Sequence, residues 1–105
     1  LRVASSSMRE EYRMITNFRN RALGRFWTRD DASGFRPNWR PRIEMILDRL
    51  DAAKAPRDLA LPGMDFHPLK GKDKGRYAVT VSGNWRITFA FDGEDAIDVD
   101  LEDYH

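Results

Sequence analysis

The sequence predicts an α+β domain in which two N-terminal helices pack on a small, mainly antiparallel sheet of four to five strands. Three observations carry this. Apolar residues recur at helical spacing up to Pro56, they recur at period two from Tyr77 onward, and Gly-containing turn pairs punctuate the second half.

The first element is the least regular. Leu1 to Arg13 is polar and weakly patterned, with Ser5-Ser6-Ser7 inside it, so residues 1–13 are expected to be an N-terminal extension or expression remnant and residues 14–105 the folded domain. Met14-Ile15-Thr16-Asn17-Phe18 then alternates as a short strand does. From about Asn20 to Arg29, Leu23, Phe26 and Trp27 fall at i, i+3, i+4 and form one apolar helix face, with Arg21, Arg25 and Arg29 off it. Gly34 marks the break. In the second helix Pro41 suits the first turn, and Ile43, Ile46, Leu47 and Leu50 recur at i, i+3, i+4, i+7 until Pro56 forbids continuation.

After Pro62-Gly63 the period changes. Tyr77, Val79 and Val81 alternate with Ala78, Thr80 and Ser82; Gly83-Asn84 turns the chain; Trp85, Ile87, Phe89 and Phe91 alternate with Arg86, Thr88 and Ala90. This reads as a hairpin with one dry face and one polar face. A second turn at Asp92-Gly93 leads to Ile97, Val99 and Leu101, alternating with Asp98, Asp100 and Glu102.

At 105 residues the chain is expected to be one small domain. It has no Cys, which removes disulfide frameworks, thiolate nucleophiles and Cys-based zinc sites, and agrees with a reducing cytosol. No apolar run approaches the ~18–20 residues of a membrane span, so a cytoplasmic protein with no membrane partner is expected. The net charge of +1 conceals a separation. All 18 Lys and Arg lie within residues 1–91 beside 10 acids, whereas residues 92–105 carry 7 acids and no Lys or Arg, so a +8 body precedes a −7 tail. A basic body suits a polyanion, because each phosphate neutralised releases a condensed counterion.

Three islands hold the chemistry: His67-Pro68-Leu69-Lys70-Gly71, Asn84-Trp85-Arg86-Ile87-Thr88-Phe89, and Asp103-Tyr104-His105. The pleat points Arg86 away from the face of Trp85, Ile87 and Phe89, and a permanently charged fork on a polar sheet face is well made to clamp a phosphate. The competing use is an ion pair with Asp98 or Asp100 on the adjacent strand. Asn84 suits a turn because it tolerates the left-handed conformation. Gly71-Lys72-Asp73-Lys74-Gly75 is a basic loop that lacks the spacing and Lys-Ser/Thr ending of a phosphate-binding P-loop. Imidazole titrates near ~6.5, which suits His67 and His105 to proton transfer. His67, Asp103 and His105 could also supply a three-ligand metal site, but no close His spacing supports a metal, and no cofactor is expected.

Taken together, these islands resemble the HigB-type toxins of the RelE/ParE superfamily, the toxin half of bacterial type II toxin–antitoxin pairs. The resemblance runs from about Met14 to His105 and includes the Met14-Ile15-x-x-Phe18 start. It implies a RelE-like fold and a ribosome-dependent endoribonuclease that cuts mRNA in the decoding site and stops translation. It also implies a helix-turn-helix, HigA-like antitoxin partner through which alone operator DNA is bound. By the same resemblance His67 and His105 are active-site histidines, Lys70 and Arg86 face the phosphate, and Asp103 and Tyr104 complete the terminal motif. Asn84, Lys72, Lys74 and Arg76 are expected to bind substrate. Residues 1–13 have no counterpart in the family pattern. The alternative within the superfamily is a ParE-like protein that inhibits DNA gyrase without cutting RNA.

Overall fold

A computed structural model describes residues 15–104. The expectations for residues 1–14 and for His105 lie outside the described residues.

Helix α1 (Arg21–Arg29) begins where Asn20, in an extended conformation, accepts a hydrogen bond from the Leu23 backbone N–H at 2.9 Å. It ends at Asp30, which takes the left-handed conformation with φ 59° and donates its N–H to Phe26 O at 2.9 Å. A short 3₁₀ turn, Pro37–Trp39, runs into helix α2 (Arg40–Ala52), with Pro41 in its first turn as expected. Leu23, Phe26, Ile43, Ile46, Leu47 and Leu50 are fully buried, the faces that the helical spacing marked.

The sheet is an antiparallel meander of β1 (His67–Pro68), β2 (Tyr77–Ser82), β3 (Trp85–Asp92) and β4 (Asp95–Asp103), in that spatial order. Val79, Ile87, Phe89 and Val99 are fully buried with the helices in one core, and Trp39 of the 3₁₀ turn meets Trp85 of β3 with ring centroids 5.4 Å apart. Arg42 of α2 ties the helical layer to the sheet. Its guanidinium donates to Thr80 O at 3.0 and 2.8 Å and to Gly63 O at 2.7 Å.

Three details differ from the sequence expectation. Of the segment expected as a strand at Met14–Phe18, the described residues 15–18 make two isolated parallel bridges, Ile15 to Ala96 and Phe18 to Val99, along the outer edge of β4. They work as a strap over an otherwise open edge rather than as a full strand. Next, the alternation of Ile97, Val99 and Leu101 is broken. Thr88 pairs with Asp100 and Ala90 with Ile97, so two residues of β4 oppose one of β3, and Asp98 sits at φ 53° in the bulge. Ala96, not Ile97, is buried on the core side. Finally, the polar face of the hairpin is dry at its centre, where Ala78 and Thr88 are fully buried beside Arg76.

Candidate active site

Register assembles one surface on the side of the sheet away from the helices. Residues paired directly across strands share a face. His67 pairs with Ala78 and Ala78 with Thr88, which pairs with Asp100; one pleat further on, Thr80 pairs with Arg86 and Arg86 with Glu102. Residues two apart on a strand join the same face, which adds Arg76 beside Ala78. Beyond β4 the Tyr104 N–H donates to Asn84 O at 2.8 Å, carrying the ladder one step past the strand and holding Tyr104 at the hairpin tip.

His67 lies half-buried on the short edge strand. Its Nδ1 is 2.9 Å from Asp65 O, a carbonyl that can only accept, so this nitrogen carries the proton and Nε2 holds the lone pair of the neutral ring. Asp65 also accepts from the Thr80 hydroxyl at 3.1 Å, so the loop before β1 is bonded to the same face. Lys70 precedes the 3₁₀ turn Gly71–Asp73, whose fold needs the left-handed φ of Gly71 (67°) and Gly75 (97°). Lys70, Lys72 and Lys74 are all exposed on this loop.

Arg86 is half-buried and donates from Nη1 to Gly83 O at 2.7 Å and, longer, to Trp85 O at 3.3 Å. The ion pair weighed for it does not form. Asp98 instead meets Arg19 at 3.6 Å and accepts from Asn17 Nδ2 at 2.7 Å, because the bulge turns it toward the strap. In the hairpin turn the left-handed residue is Gly83, at φ 55°, and Asn84 is exposed at the tip without that conformation.

Arg76, expected to bind substrate, lies largely beneath the face. It is 8 % exposed, and its Nη2 donates to Thr88 Oγ1 and to Asp98 O, both at 2.9 Å. Asp103 also differs in direction from its neighbours. It pairs with Trp85, and alternation sets it on the opposite side from Glu102, exposed at the end of β4. Tyr104 lies in the electrostatic centre of the face. Burial raises its phenol above the ordinary value; the Glu102 and Asp73 carboxylates add to the rise, and Arg76 and Arg86 oppose it.

Two members of this face had no role assigned from the sequence, Thr88 and Glu102, joined by a hydrogen bond of 2.6 Å. The usable signal was parity. Thr88 is two residues from Arg86, and Glu102 two from Tyr104, so each pair shares a side of its strand. A cleft of about 310 Å³ lined by Asp48, Arg49, Ala52, Ala53 and Asp58 lies at the far end of α2, on the helical side of the sheet.

Two helices behind a four-stranded antiparallel meander, whose open face bears a histidine, an arginine and the penultimate tyrosine, form an α+β arrangement consistent with a RelE-like fold. The family described as the RelE-like toxin of the type II toxin–antitoxin system HigB matches residues 16–105, and the chain belongs to it. Over 92 residues the chain is 36 % identical to the endoribonuclease HigB of Proteus vulgaris, covering 88 % of this chain and all of that protein. A crystal structure of a copper-bound mutant toxin from Helicobacter pylori superposes with a TM-score of 0.49 at 14 % identity, covering 86 % of this chain and 93 % of that one.

Proposed function

We propose that this toxin is an endoribonuclease that cuts mRNA in the decoding site of the ribosome, using the RNA's own 2′-hydroxyl as nucleophile. The observation that carries the reading is Arg86. It stands on the open face with no carboxylate at ion-pair distance among the described residues, and the loop that joins β1 to β2 exposes Lys70, Lys72 and Lys74. A guanidinium left unneutralised there is suited to the oxygens of a phosphodiester.

The reaction needs only proton movement and charge stabilisation. A base takes the 2′-hydroxyl proton, the freed oxygen attacks the adjacent phosphorus, and the bond to the 5′-oxygen breaks as that oxygen gains a proton. The products are a 2′,3′-cyclic phosphate and a 5′-hydroxyl. DNA has no 2′-hydroxyl and is not a substrate. His67 and His105 share the acid and base roles; the Nδ1 anchor of His67 to Asp65 O leaves its Nε2 free for the exchange. Arg86 and Lys70 stabilise the charge on the pentacovalent phosphorus. Asp103 orients the terminal histidine, Tyr104 stacks on a base, and Asn84 with Lys72 and Lys74 contacts the strand on either side.

The toxin acts in the cytoplasm, where ribosomes and mRNA meet, and a HigA-like helix-turn-helix antitoxin holds it inactive and carries the complex to operator DNA. Mapping the 5′ ends of cellular mRNA after brief induction tests the activity. New ends within translated reading frames are expected, and they should vanish in ribosome-free RNA treated with the same protein. Intact mRNA with arrested replication would overturn the reading in favour of a gyrase inhibitor.

A further inference from the structure

Arg86 and Glu102 are direct partners across β3 and β4. Opposite charges in such positions ordinarily attract each other across the strands. Here they do not pair. The Arg86 guanidinium turns back to Gly83 O, and Glu102 is held by another residue: its Oε2 accepts from Thr88 Oγ1 at 2.6 Å. Thr88 Oγ1 in turn accepts from Arg76 Nη2 at 2.9 Å. Chemistry fixes the direction of this chain, since a guanidinium can only donate and an ionised carboxylate can only accept. The single Thr88 proton therefore points at Glu102.

The chain is anchored below the face. Thr88 is fully buried, and Arg76 is fastened to the bulge by its second bond, to Asp98 O at 2.9 Å. Its other terminal nitrogen, Nη1, is buried with no hydrogen-bond partner among the described residues.

We propose that Arg76 and Thr88 are positioning residues that draw the Glu102 carboxylate away from Arg86, so that the Arg86 guanidinium stays uncompensated and open to an RNA phosphodiester. The proposal deepens the nuclease reading and rests on it. Glu102 is the nearest cross-strand competitor for that guanidinium, and the Thr88 hydroxyl removes it from competition before RNA arrives.

The test is a rescue. Thr88→Val keeps the shape of the buried side chain and deletes the hydroxyl, releasing Glu102 toward Arg86. Cleavage of mRNA on ribosomes should lose about tenfold in kcat/KM, as expected when the hold of Arg86 on the reacting phosphodiester is weakened. Thr88→Ser should cleave as the wild type does. The pair Thr88→Val with Glu102→Gln should return to within about twofold of wild type, because an amide has no charge to set against Arg86. A merely structural loss would not be relieved by removing a carboxylate. Wild-type kinetics for Thr88→Val, or a loss that persists in the double variant, overturns the proposal. If circular dichroism shows Thr88→Val unfolded, Thr88→Ala takes its place; loss of fold in both also overturns it. A wild-type protein that does not cleave, or an Arg86→Gln variant with unchanged kcat/KM, overturns instead the nuclease reading of the face, and this inference with it.

Discussion

At the scale of single residues the face is built from groups whose chemistry cannot be exchanged for a near neighbour. Arg86 offers a planar fork, and a lysine would offer one compact charge on a flexible stem. Arg86→Lys should therefore lower kcat/KM for mRNA cleavage by about tenfold or more, a change of about 1.4 kcal/mol or greater in transition-state binding, without lowering the melting temperature. Full activity would return Arg86 to the status of a surface cation. Tyr104 gives a pH prediction. Its phenol is raised by burial first and then by the Glu102 and Asp73 carboxylates, so the folded protein keeps this proton at a pH where the unfolded chain, titrating near ~10, has lost it. The unfolded state then binds fewer protons, and stability falls as pH rises above ~10 toward the raised value; below ~10 the phenol has no such effect. Tyr104→Phe should flatten that alkaline decline in urea melts and leave stability at neutral pH nearly unchanged.

At the scale of elements, three devices place the face. The Asn20 cap fixes where α1 starts, and Asn20→Ala should cost about 1 kcal/mol in denaturant unfolding. Arg42 staples α2 to the β2 backbone through Thr80 O. The bulge at Asp98 is the most consequential of the three. Its side chain accepts from Asn17 Nδ2, its N–H donates at 3.0 Å to Asn17 Oδ1, and its carbonyl receives Arg76. One left-handed residue thus joins the strap outside β4 to the network under the face. Asp98→Asn keeps a side chain that tolerates φ 53° and can still accept from Asn17, so it should cost well under 1 kcal/mol. Asp98→Val combines a β-branched residue in that conformation with loss of the side-chain bond from Asn17 Nδ2 and of the Arg19 ion pair, and should cost about 2–4 kcal/mol. Equal costs for the two would show that the bulge does not depend on its residue.

At the scale of the whole molecule, charge is sorted rather than balanced. The acidic tail becomes β4 and is met at its outer edge by the strap, with Arg19 at 3.6 Å from Asp98. Arg21, Arg29, Arg36 and Arg40 remain exposed along α1 and the approach to α2, although Arg40 meets Asp30 at 3.2 Å. A type II toxin is paired with an antitoxin, and an acidic partner covering this basic surface would associate faster than a neutral one. Co-expression with the adjacent reading frame should yield a stable complex by affinity purification, and its association rate should fall steeply with added salt. A neighbour that neither co-purifies nor restores growth would remove the support for this interface.

Periodicity alone determined which residues form α1, α2, β2 and β3 and which of their faces enter the core, because helical and strand spacing express backbone geometry that every residue shares. Residue type, with the family resemblance of the motifs, brought His67, Lys70, Arg86 and Tyr104 forward as candidates, since those side chains carry their charge, proton or ring wherever the chain goes. Periodicity could not reveal a single extra residue in β4, and that bulge reverses the side on which Ile97 stands. Nor could it show that Arg76 turns inward to Thr88, or that Glu102 faces its open side while Asp103 faces away. These depend on register and burial, which are fixed only when all the strands, the strap and the helices compete for the same space.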